Sequence, residues 1–101
     1  MECAFCKIYN QKLPAKIIYQ DNILSCFLPR NMEVYGHLLV IPNKHFENIF
    51  DIPEEELTHI IKFTKKISLH LKECLGATGI NILHASGKSA QQSEPHFHIH
   101  I

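Results

Sequence analysis

The chain carries no excess of charge of either sign: ten Lys and Arg balance ten Asp and Glu, and the sequence pI is about 7.1. No one-signed field spans the surface, which argues against extended binding to duplex nucleic acid. There is no run of about eighteen apolar residues, so no spanning helix and no membrane partner are expected. The opening residues, Met1 to Lys7, lack the basic region and apolar stretch of a secretory signal. Repeats, low-complexity tracts and linkers are absent too. These absences point to the reducing cytoplasm, where the four cysteines act as thiols or metal ligands rather than disulfides. With 101 residues, 46% hydrophobic and 20% charged, the chain is expected to form one domain over 1–101.

Histidine is plentiful, with eight in all, and three of them alternate with apolar residues at the end: His96-Phe97-His98-Ile99-His100-Ile101. In an extended strand, side chains alternate between faces, so the three imidazoles share one face and Phe97, Ile99 and Ile101 the other. Same-face neighbours lie roughly 6.6 Å apart, a span over which one phosphate or metal ion can touch more than one imidazole. A wet strand face would be served equally well by Thr, Lys or Ser.

Hydrophobic periodicity gives a coarse fold. A short helical turn is expected over residues 6–10, and strands over 15–20 and 23–28 with a turn at Asp21-Asn22. A loop at 30–35 leads to a third strand over 36–41, whose continuous apolar run suits the middle of a sheet. Asp51 and Glu54 have capping-box spacing, Pro53 suits a first helical turn, and Leu57, Ile60, Ile61, Thr64, Ile67, Leu71 and Leu75 share one helical face up to Gly76. A fourth strand over 80–85, a polar loop over 86–94 and a fifth strand over 95–101 complete the reading. The expected class is α+β, with a mainly antiparallel sheet of about five strands, one long helix and a short N-terminal helical turn. Cys26 and Cys74 are expected in the core.

Cys3-Ala4-Phe5-Cys6 has the spacing with which two thiolates grip one tetrahedral Zn²⁺, and His45 and His96 are candidates for the other two ligands. A redox pair and two buried thiols are the competing readings. In the triad, a neutral imidazole is a good nucleophile toward phosphorus near pH 7 if its other nitrogen keeps its hydrogen on an acceptor. His98, flanked on both sides, is the best-placed nucleophile. Protonated neighbours would offset phosphoryl charge, and Ser93 could donate to a phosphate oxygen or the leaving atom. A triad devoted wholly to metal is the rival arrangement.

These motifs, His96 to Ile101 preceded by Gln92-Ser93, Gly36-His37-Leu38-Leu39-Val40-Ile41-Pro42-Asn43-Lys44-His45, and the Cys-x-x-Cys start, resemble the histidine triad superfamily of nucleotide hydrolases and transferases, in its zinc-binding bacterial branch. The resemblance covers nearly the whole chain. It implies an α+β homodimer acting on a purine nucleotide or nucleotide conjugate, cleaving at the α-phosphate of a phosphoramidate or dinucleoside polyphosphate through a nucleotidyl-histidine. By position, His98 matches the nucleophile, His100, Ser93 and Gln92 match phosphate and leaving-group contacts, and His37 matches a supporting histidine. Cys3, Cys6, His45 and His96 match the ligands of a structural zinc. Three positions depart from the pattern. Pro29 stands where an acid commonly holds the ribose, Ala85 stands where an amide usually precedes the loop glycine, and the sequence stops at Ile101, where the family pattern runs on into a C-terminal segment. The alternative these departures raise is a nucleotide-binding protein of the same fold with little turnover, and beyond that a zinc-stapled module without a nucleotide site.

Overall fold

The computed structural model describes residues 3–29 and 37–101. Their order is α1 (Ala4–Tyr9), β1 (Lys16–Gln20), β2 (Leu24–Leu28), β3 (Leu39–Pro42), α2 (Glu54–Leu75), a 3-10 turn (Lys88–Ala90) and β4 (Ile99–His100). The four strands form one antiparallel sheet in the order β1-β2-β3-β4. This is the expected α+β class. The loop expected at 30–35, and Gly36, lie outside the described residues.

Alternation along the two central strands sorts side chains to opposite faces. Leu24 and Cys26 of β2 join Leu38, Val40, Phe97 and Ile99 in a core with Ile60 and Leu71 of α2. Phe27, Leu39 and Ile41 turn the other way and pack with Cys3 and Phe5 at α1. The sheet is thus covered by α2 on one face and by α1 on the other. Ile60 and Phe97 are almost wholly buried, and truncation to Ala should cost about 2–5 kcal/mol at Ile60 and about 3–5 kcal/mol at Phe97.

The first hairpin is set by Asp21. Its Oδ1 accepts from the backbone N–H groups of Ile23 and Leu24, both at 2.8 Å, closing an Asx turn. Its Oδ2 binds Nε2 of His59 at 2.7 Å, which ties the hairpin to α2. β1 is an edge strand with every residue exposed, and its register with β2 shifts between Ile17 and Tyr19.

Four expectations are corrected. Asp51 does not cap α2: its carboxylate accepts from the N–H groups of Glu47 and Asn48, at 3.0 and 2.9 Å, and so closes the preceding turn. Pro53 takes the N-cap position in an extended conformation, without a side-chain bond. Residues 80–85 form no strand, only a single bridge between Leu83 and His100. A continuing ladder would offer the His98 carbonyl to Ala85, but the His84 side chain takes it at 2.8 Å, and pairing stops there. Finally, Cys74 is exposed on α2, as are Ile61 and Leu75 of its apolar stripe, whereas Cys26 is buried as expected. The end of α2 is as expected, with Gly76 in the left-handed region at φ 71°.

Candidate functional site

β4 and the extended residues before it bring the C-terminal histidines under α1. His96 and His98 are buried and His100 is half-buried. Phe5, between the two N-terminal cysteines, meets both buried rings edge-on, with centroids 5.8 Å from His96 and 5.1 Å from His98. It covers the central imidazole, a contact the sequence reading did not anticipate, although its place inside Cys-x-x-Cys put it beside the ligands.

His96 faces α1. Its Nε2–H donates to the Pro42 carbonyl at 2.9 Å, which leaves Nδ1 bare. That nitrogen lies 3.3 Å from Sγ of Cys3 and 3.5 Å from Sγ of Cys6, and Nδ1 of His45 lies 3.3 Å from Sγ of Cys6. The four donor atoms all fall within 4.8 Å of one another. Zn–S and Zn–N bonds of about 2.3 and 2.0 Å at tetrahedral angles would place ligand atoms roughly 3.3–3.8 Å apart, so the set fits a metal ion closely. The Pro42 carbonyl supplies the outer partner that a ligating imidazole needs. Cys3, Cys6, His45 and His96 are therefore positioned to bind a metal. Without a cation between the sulfurs, burial and the neighbouring Cys3 push the Cys6 thiol up to about 11, and burial takes His96 down to about 4.

His98 is held differently. Its Nδ1–H donates to the His96 carbonyl at 2.8 Å, so Nε2 is the unprotonated nitrogen of the neutral ring. The His98 and His100 rings meet edge-on at 5.0 Å, and Nδ1 of His100 lies 3.2 Å from Nε2 of His37. Burial lowers the pKa of His98 and of His100, and adjacent histidines lower them further. Both shifts favour the neutral imidazole, and Nε2 of His37 and Nδ1 of His100 are placed to share one hydrogen bond.

Gln92 and Ser93 sit in the loop after the 3-10 turn. The Gln92 amide braces that loop: Oε1 accepts from Gly87 N–H at 2.7 Å, and Nε2 donates to the carbonyls of Glu47 and Glu94. Ser93 is exposed. Beside Phe5 a cleft of about 860 Å³ is walled by Ile8, Phe27, Leu28, Pro29 and Leu39, with Lys16 and Glu94 as its charged residues. Among the described residues no helix is long and apolar enough to cross a membrane.

The chain matches the HIT domain family over residues 10–101. It is 43% identical over 99 residues to an uncharacterised HIT-like protein of Methanocaldococcus jannaschii, spanning 98% of this chain and 76% of that one. An adenosine 5'-monophosphoramidase of Saccharomyces cerevisiae is 31% identical over 99 residues, covering 98% of this chain and 60% of the yeast protein. Among solved structures, a zinc-bound histidine triad family protein of Mycobacterium smegmatis superposes with a TM-score of 0.92 at 35% identity, over 99% of this chain and 73% of the other.

Proposed function

Because the chain belongs to the HIT domain family, we propose that it is a nucleotide hydrolase or transferase that cleaves at the α-phosphate of a purine nucleotide conjugate through a nucleotidyl-His98 intermediate. One observation carries the reading: the His98 ring is locked by the His96 carbonyl in the tautomer that leaves Nε2 free to attack. The yeast relative that is an adenosine 5'-monophosphoramidase makes a phosphoramidate the first substrate to try.

In the first step Nε2 of His98 forms a bond to phosphorus as the bond to the leaving amine or phosphate breaks, and the leaving group departs with a proton. Ser93 is the donor closest in sequence for that proton. With Nε2–H of His37 donating to Nδ1 of His100, the Nε2–H of His100 is left to stabilise charge on the phosphoryl oxygens. Because Nδ1 stays protonated, the nucleotidyl-imidazole is a cationic leaving group; in the second step water bonds to phosphorus as the P–N bond breaks, and the proton it loses restores the Ser93 hydroxyl. Gln92 serves the phosphate through the loop that presents Ser93. The base lies in the apolar cleft beside Phe5, whose volume suits a nucleoside.

A zinc ion held by Cys3, Cys6, His45 and His96 is structural in this reading. It pins α1, and with it Phe5, against the triad. The protein works as a homodimer in the cytoplasm: the exposed Ile82 and Leu83 at the open edge of the sheet, with Leu75 at the end of α2 lining the same hollow as Leu83, are apolar groups a second copy would cover.

Pro29 in the cleft wall favours one second reading, a nucleotide-binding protein with little turnover, since it offers no acceptor to a ribose hydroxyl. Incubation with adenosine 5'-phosphoramidate separates the two: release of AMP supports the hydrolase, whereas tight binding by calorimetry without release supports the binding protein.

A further inference from the structure

On the opposite side of the terminal strand from the triad imidazoles, His84 stacks on Phe97 with ring centroids 4.4 Å apart. Its Nδ1 lies 2.8 Å from the His98 carbonyl oxygen. A carbonyl can only accept, so Nδ1 carries the hydrogen, and Nε2 of the neutral ring is an acceptor. That Nε2 is within hydrogen-bond distance of Oγ of Ser86, so the serine must be the donor. The backbone N–H of Ile49 donates to the same oxygen at 2.9 Å. The result is a hydroxyl whose proton points at an imidazole, an imidazole oriented by a third group, and an amide hydrogen that fixes the oxygen through one lone pair and leaves the other for attack. A nucleophile, a base and an orienting acceptor in that order define an activated serine.

We propose that Ser86, with His84 as its base, is a second nucleophile of this protein, open to acylation by esters of apolar carboxylic acids. The Ile49 amide meets the serine, and the Ile49 side chain and that of Phe50, next in the chain, are exposed apolar groups on the same segment that an apolar acyl group could use. Oγ forms the bond to the ester carbonyl carbon while its proton passes to Nε2 of His84. As the tetrahedral adduct collapses, the bond to the ester oxygen breaks and the leaving alcohol takes that proton. Acyl-Ser86 and free alcohol remain, with His84 neutral again. None of these atoms belongs to the metal donors or to the Nε2 side of His98, so the inference stands apart from the phosphoryl chemistry above.

The test is to treat the full chain with 4-nitrophenyl butyrate and follow acylation by peptide mapping, with the exposed Ser89 of the same loop as an internal reference. Ser86 should acylate at least about 100-fold faster than Ser89, the usual worth of a positioned general base. His84→Gln should bring the two serines to similar rates. Ser86→Ala, which keeps the His84 ring and its bond to the His98 carbonyl, should remove the fast phase. Circular dichroism shows whether each variant is folded, and a folded His84→Gln that still acylates Ser86 at the parent rate would overturn the proposal. So would equal rates at Ser86 and Ser89 in the parent chain, or a fast acyl group carried by His98 or Ser93 instead.

Discussion

The carbonyl of His96 accepts the Nδ1–H of His98 at 2.8 Å, while the ring of the same His96 points its bare Nδ1 at the sulfurs of Cys3 and Cys6. One residue therefore offers its ring to the metal and its backbone to the proposed nucleophile. Anything that loosens the metal centre should also loosen the tautomer of His98.

That coupling is open to test. Purified without added metal, the protein should carry close to one zinc per chain, and Cys6→Ser or His45→Ala should lower that content. On chelation, amide exchange should rise first in α1, which has few other anchors, and turnover of a phosphoramidate should fall in parallel. Full turnover in a zinc-free, folded protein would separate the two roles.

The Asp21–His59 contact predicts a pH dependence of stability. Burial alone would raise the Asp21 carboxyl, but bonds from His59, from the amides of Leu24 and Ile23 and from Tyr19 outweigh it and bring it down to about 2. A carboxylate depressed in the folded state stabilises above its unfolded value of about 4, and that contribution is lost as pH falls through about 4 toward 2. Thermal melts should show the loss in the parent chain and a flatter acid limb in Asp21→Asn. Equal acid limbs would refute it.

The dimer is tested by sedimentation. At micromolar concentration the protein should run at twice the 11.7 kDa chain mass, and a charge at Ile82 or Leu83, such as Leu83→Glu, should return it to the monomer. A parent chain that sediments only as monomer contradicts the proposed assembly.

Pro29 makes a further prediction about the cleft. Pro29→Asp would introduce an acceptor for ribose hydroxyls at its wall and should tighten AMP binding relative to 2',3'-dideoxy-AMP, as read by calorimetry. Equal gains for both nucleotides would show that position 29 does not meet the sugar.

Much of this was legible in the residues. The alternating His and apolar positions of 96–101 placed Phe97 and Ile99 in the α2 core and His96 and His98 under α1, because a strand has period two. Cys-x-x-Cys, His45 and His96 converge as their types required. What stayed hidden depended on competition between partners. Asp51 had helix-capping spacing, but two nearer amides claimed its carboxylate. Residues 80–85 had strand composition, but the His84 side chain replaced the backbone at the His98 carbonyl. The charge state of the triad depends on burial, which spacing alone does not report.

The central claim is that His98 forms a covalent bond to the nucleotide. The most direct measurement is to quench the protein during turnover of a phosphoramidate labelled in its α-phosphate and to follow the label. The account predicts protein-bound label that is acid-labile and alkali-stable, maps to His98, and vanishes in His98→Ala, whose turnover should fall by several orders of magnitude while nucleotide binding and folding persist. Label retained in His98→Ala, or a loss of turnover under about tenfold, would contradict it.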